Sequence, residues 1–195
     1  MNYDAADAMG WHHSAWDQKQ ILAVSPVQIH ASAQWCRYNA AGERILPNNV
    51  SYVITQVDGR WGIQARFGVD SALPDDPNTA VGRAKAAWRR LREAMARSDA
   101  EELEQVVRLP FNLIGVGRIT VATTANEVVD HLGGVGTATG EAVDLQVGQF
   151  GVNLGAELRE ENGDTCHALL LVVLSDQGAR VSAISLLRGA HVVRG

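Results

Sequence analysis

Long apolar runs are missing from this sequence. Leu169 to Leu174 is only strand-length, and no stretch reaches the ~18 residues that a membrane-spanning helix needs. An excess of basic charge is missing too. The net charge is −5, and the one basic cluster, Lys85, Arg89, Arg90, Arg92 and Arg97, runs straight into Glu101, Glu102 and Glu104. That reads as a solvated helix face and excludes the basic stripe expected of a nucleic-acid partner. Cysteine is scarce: Cys36 and Cys166 lie far apart, without metal-ligand spacing. A reduced, cytoplasmic protein with buried, inert thiols is the expectation. Met1 to Gly10 has no basic segment followed by an apolar core, so no signal peptide is expected. Gly115-Val116-Gly117 lacks the third glycine of a dinucleotide fingerprint, since position 120 is Thr120. No cofactor and no metal is implied.

Two β-rich stretches flank a helical one. Val27, Ile29, Ala31, Ala33 and Trp35 alternate with Gln28, His30, Ser32 and Gln34, the period of a half-buried strand. Val50–Val57 and Arg60–Phe67 follow as strands joined by a tight Asp58-Gly59 turn. Leu73-Pro74-Asp75-Asp76-Pro77 breaks the sheet. A helix is expected over 80–97, with Ala80, Ala84, Ala87, Trp88, Leu91, Ala94 and Met95 on one stripe. Ser98 with Glu101, and Thr124 with Glu127, have capping-box spacing for two short helices, the second ending at Gly133-Gly134. Leu109–Val121 reads as two short strands, and β structure resumes over Ala142–Arg159, Cys166–Leu174 and Arg180–Leu187.

The two β-rich stretches look alike. Gly42 precedes Gly163 by 121 residues and Gly59 precedes Gly178 by 119. A two-residue gap near Leu46-Pro47 then lays Ser51–Ile54 over Leu170–Val173. This reads as one and a half copies of a unit. Residues 1–72 would be a partial β unit, and residues 78–195 a complete domain.

The order over Ala80–Arg188 (helix, helix, short strands, short helix, antiparallel meander) resembles the nuclear transport factor 2-like superfamily, which includes ketosteroid isomerase, scytalone dehydratase and polyketide cyclases. The hairpin Tyr52–Arg66 resembles the closing hairpin of many of its members. The resemblance implies an α+β fold in which a strongly bent antiparallel sheet is covered by helices, like a cone, with a pocket on its concave face. It also implies homodimers formed through the sheet.

Ketosteroid isomerase works with a carboxylate base and with Tyr and protonated Asp donors. The matching stretch here, Leu109–Ile114, has no carboxylate. Asn112 can hydrogen-bond but takes no proton, and residues 78–195 contain no Tyr. That chemistry is excluded for that pocket. Counting from a turn centred on Asn162 sets Glu157 opposite His167, on a face shared with Asn153, Leu169 and Leu171. A carboxylate beside an imidazole can serve as base or proton shuttle, or simply as a surface ion pair. His30, Gln64 and Arg66 are candidates for lining a pocket or for a structural polar face. His12, His13 and Asp17 lack an evident third ligand and read as solvated, and Trp35, Trp61 and Trp88 read as core. Two functions remain: a module binding a small apolar ligand or supporting assembly, and an isomerase, dehydratase or cyclase moving a proton on a small apolar substrate.

Overall fold

The computed structural model describes residues 8–69, 72–132, 135–160 and 162–193. The Pro/Asp stretch does end one sheet and start a helix. Asp76 caps it, accepting from Thr79 N at 3.1 Å, and Pro77 takes the first turn, where no N–H is needed. Helix α1, Pro77–Arg97, buries the expected stripe from Ala80 to Met95. Ser98 adopts a left-handed φ of 51° and closes α1, while Asp99 caps α2, Ala100–Val106. The expected Ser98–Glu101 box is thus replaced by Asp99 accepting from Glu102 N. A residue that must turn left-handed to end one helix cannot hold the extended backbone that starts the next. The Thr124–Glu127 box forms as expected at α3, Ala125–His131. The expected stop at Gly133-Gly134 lies outside the described residues.

Eleven strands form two sheets among the described residues. The first runs through β1 (His13–Val24), β2 (Gln28–Tyr38), β3 (Arg44–Val57) and β4 (Arg60–Val69) as an antiparallel meander. The second is built from β5 (Val107–Gly115), β6 (Arg118–Ala122), β7 (Ala142–Gly148), β8 (Gly151–Arg159), β9 (Thr165–Ser175) and β10 (Gly178–Arg188). Its order is β6-β5-β10-β9-β8-β7, parallel only between β5 and β10. A short β11, His191–Val192, carries the chain back to pair with β1 in the first sheet. Ala142–Arg159, expected as one strand, is a hairpin turning at Gln149-Phe150. Its turn lacks the Asn-Gly or Asp-Gly signature that marks a tight hairpin in sequence.

The helices lie on one face of the second sheet, an open sheet whose edges are β6 and β7. Trp88, Leu91, Leu103, Phe111, Leu154, Leu158 and Leu170 fill the space between and are almost wholly buried. This is an α+β arrangement, a mostly antiparallel sheet covered by helices, as the sequence led one to expect. The turns at Gly42 and Gly163 share one bonding pattern. Asn39 N donates to Glu43 O and Gly42 N to Asn39 O; Glu160 N donates to Asp164 O and Gly163 N to Glu160 O. Gly42 and Gly163 supply the positive φ, 80° and 87°, that both turns require.

The first sheet covers the other face of the second. Leu22, Val53 and Phe67 pack there on Ile114, Leu169 and Ala183. Val53 is buried, but the first residues of β2 turn their polar side chains inward. Gln28 and His30 are buried, while Val27 is 43% exposed and Trp61 on β4 47%. The inward face of the first sheet is thus mixed: Leu22, Val53 and Phe67 meet an apolar strip, while Gln28 and His30 meet the His167 and Ser185 that the second sheet presents. Trp88 is core; Trp35 is half-buried and Trp61 is not core.

Candidate functional site

Two polar clusters lie between the sheets. In the first, Gln146 Nε2 on β7 donates to Ala33 O at 2.8 Å and Val50 O at 2.9 Å. Asn153 Nδ2 on β8 donates to Phe67 O and to Gln146 Oε1, both at 2.8 Å, while Asn153 Oδ1 accepts no hydrogen bond. These amides bind backbone carbonyls of the first sheet, so they hold the sheets in register as ladder bonds would. Asn153, a candidate ligand residue, is therefore placed in a buried bridge.

The second cluster joins His30 on β2 to His167 on β9. Their Nδ1 atoms are 2.9 Å apart, with ring centroids 5.1 Å apart and planes at 60°. His30 Nε2 lies 3.0 Å from Ser185 Oγ and 3.1 Å from Gln28 Nε2, and Gln28 Nε2 is 2.8 Å from Ser185 Oγ. Ser185 Oγ donates to Ile114 O at 3.2 Å. Burial, and then the neighbouring His167, hold the His30 pKa well below the ordinary imidazole value. Burial also pushes His167 down to about 4, against the pull of the Glu157 carboxylate. Both rings are neutral at pH 7.

Glu157 stands opposite His167 in the β8–β9 register. Both line an open cleft of about 550 Å³ at the margin of the two sheets. Gln20 and Leu22 come from β1, Val192 and Val193 from the C-terminal segment, and Val143 and Leu145 from β7. The rim at Thr139-Gly140 is tied to β8 by paired backbone bonds between Thr139 and Arg159. Arg92 of α1 donates to Gly140 O at 2.8 Å and to Ala138 O, so this basic residue is not simply a solvated face. A Cβ on Gly140 would sit 2.0 Å from Glu157 O, so only glycine permits this approach. Gly155 likewise leaves room for the imidazole, where an added Cβ would lie 3.3 Å from His167 Nε2.

The other candidates lie elsewhere. Alternation along β5 puts half-buried Asn112 on the Ile114 side, away from the helices. Gln64 accepts from Thr55 at 3.5 Å, and Arg66 is exposed on β4 opposite Tyr52. None of the three lines the cleft beside His167. His12 and His13 are exposed, and Asp17 is held by Tyr38 and Arg44. Burial pushes the Cys166 thiol up to about 11, so it is no nucleophile at neutral pH. Sequence reasoning missed Gln28, Ser185 and Gln146. The available signal was a polar stripe, Gln28-His30-Ser32, in the first β-rich stretch, with Asn153, His167 and Ser185 in the last.

No protein-family model matches the sequence, and no curated protein matches it. Among solved structures, the chain is similar to a protein of unknown function from the DUF3225 family of Pectobacterium atrosepticum. The identity is 17% and the TM-score 0.47, with 60% of this chain and 98% of that one covered. It is also similar to an NTF2-like protein from Cytophaga hutchinsonii, at 16% identity and a TM-score of 0.41, with 58% of this chain and 98% of that one covered.

Proposed function

We propose that the chain is a binding module for a small, mostly apolar molecule, which enters the cleft between the sheets and meets His167 and Glu157. The observation that carries this reading is the pairing of a buried, neutral imidazole with a carboxylate on the wall of that cleft, beside Leu22, Leu145 and Val143. A general base works best with a pKa near the working pH, and an imidazole at about 4 is a weak one. This favours binding over the second reading, an isomerase, dehydratase or cyclase using the same pair for proton transfer. A thermal-shift screen of steroid- and polyketide-like compounds tests the reading, since a ligand that binds only the folded state raises Tm. A hit abolished by His167→Ala supports it; hits indifferent to His167 and Glu157 sink it.

We also propose that residues 1–72 act as a partial unit and residues 78–195 as the complete one, the first serving as a permanent cover for the second. A second copy of the chain would then meet the outer face of the first sheet, where Trp16, Ile21, Trp61 and Ile63 are exposed.

A further inference from the structure

Gln28, His30, Ser185 and His167 form one buried chain of hydrogen bonds whose donors can be counted. Ser185 has a single hydroxyl hydrogen, which goes to the Ile114 carbonyl oxygen 3.2 Å away or to a bare His30 Nε2 3.0 Å away, and in both cases its oxygen is left to accept. Ser185 Oγ therefore accepts from the Gln28 amide nitrogen at 2.8 Å, which fixes the orientation of that amide. The second amide hydrogen faces His30 Nε2 at 3.1 Å. A hydrogen on His30 Nε2 would set two donors against each other in the protein interior and leave one without an acceptor. His30 Nε2 is thus the bare nitrogen, and its ring hydrogen is on Nδ1. Only one hydrogen fits between Nδ1 atoms 2.9 Å apart, so His167 Nδ1 accepts it. A neutral His167 then carries its own hydrogen on Nε2, the nitrogen beside Gly155 on the wall of the cleft.

We propose that Gln28, His30 and Ser185 lock His167 as the Nε2–H tautomer, so that the cleft offers an N–H donor and takes a neutral molecule through its carbonyl oxygen. Two carboxylates, Glu141 and Glu157, line the cleft against one cation, Arg159, a balance that disfavours an anionic ligand. An ammonium group has no lone pair to accept from Nε2–H. Gln28, His30 and Ser185 are positioning residues, acting through His167. The ligand half of this inference rests on the cleft being a binding site; the tautomer half does not.

Long-range ¹H–¹⁵N correlation spectra of the full chain, labelled at histidine, read the tautomers directly. The expected result is a hydrogen on Nδ1 of His30 and on Nε2 of His167. Gln28→Glu sets an acceptor against His30 Nε2 and is expected to reverse both rings. An Nδ1–H His167 in the unsubstituted protein overturns the lock and leaves the reading of the cleft standing. Cyclohexanone, cyclohexanecarboxylate and cyclohexylammonium are then added in turn. A shift of the His167 Nε2 signal with cyclohexanone alone supports the carbonyl assignment. A shift with either charged probe instead overturns it. Silence with all three, the tautomers being as expected, overturns both the assignment and the reading of the cleft as a ligand site.

Discussion

His30 and His167 meet Nδ1 to Nδ1 at 2.9 Å, one imidazole from each sheet, with room for one hydrogen between them. Acid therefore acts on the contact between the sheets. Glu157 on β8 is the charged group opposite His167, while β10 sets Leu187 there and β2 sets His30. The folded pKa of His167, about 4, lies below the unfolded value near 6.5. The unfolded chain thus binds the proton first as pH falls. The stability from the neutral ring is complete above pH ~6.5 and is lost progressively toward pH ~4, by up to ~3 kcal/mol for this residue. Urea midpoints measured at pH 7 and pH 5 should fall in the native protein and fall less in His167→Phe. Equal losses in both would remove His167 as the cause.

His30→Ala should be costly in a way that Gln64→Ala and Arg66→Ala are not. His30 is fully buried, and its loss takes the Nδ1 partner from His167 and one of two partners from the Gln28 amide nitrogen. A cost of ~2–4 kcal/mol is expected for a buried polar network broken on one side with a cavity left behind. Exposed or half-exposed positions such as Arg66 and Gln64 are expected to stay within ~0.5 kcal/mol. Chemical denaturation of the three variants compares them directly.

Gly140→Ala should disturb the cleft more than Gly163→Ala, although both glycines have positive φ. At Gly140 the new Cβ would meet Glu157 O at 2.0 Å, whereas at Gly163 it meets nothing within 4 Å. The second change should cost ~1 kcal/mol from backbone strain alone. The first must move the Thr139-Gly140 rim off β8, and should cost ~3 kcal/mol or more and shift the amide signals of Glu157 and His167.

How much of this was legible depended on whether the deciding forces were local. Helix α1 was, since its apolar stripe and Asp76-Pro77 start are properties of one segment. The Glu157–His167 register was also legible, because a turn around Asn162 fixes which residues face each other. The burial of the first sheet was not. Alternation separates the faces of a strand but does not say which face turns inward, and here Gln28 and His30 turn inward because His167 and Ser185 across the contact are polar too. His30 and His167 are 137 residues apart, and nothing local in either strand announces their contact.

Self-association should depend on the outer face of the first sheet. Trp16 packs edge-on against Tyr52 there, and Ile63 is 64% exposed. Trp61→Asp together with Ile63→Lys should convert a concentration-dependent dimer to monomer in light-scattering chromatography, with little change in urea midpoint. A native chain that is monomeric at high micromolar concentration would remove this face as an interface.

Residues 78–195 alone should fail to form a stable, well-ordered fold. Without the first sheet, Ile114, Leu169 and Ala183 lose their apolar cover. Asn153 and Gln146 lose the Phe67, Ala33 and Val50 carbonyls, and His167 loses His30. Water can satisfy the polar groups, but the exposed apolar strip stays, and it invites aggregation. β11 also loses β1, so the end of the chain that closes one side of the cleft comes loose. The expected outcome is a fragment that aggregates or shows poorly dispersed amide spectra, and that recovers order when residues 1–72 are supplied in trans. Hydrogen exchange sharpens the test within the intact protein. Amides at the sheet contact, such as those of Val53 and Leu169, should exchange only by global opening. A sharply dispersed spectrum from residues 78–195 alone would show instead that the complete unit stands without its cover, and would break the proposed dependence of one unit on the other.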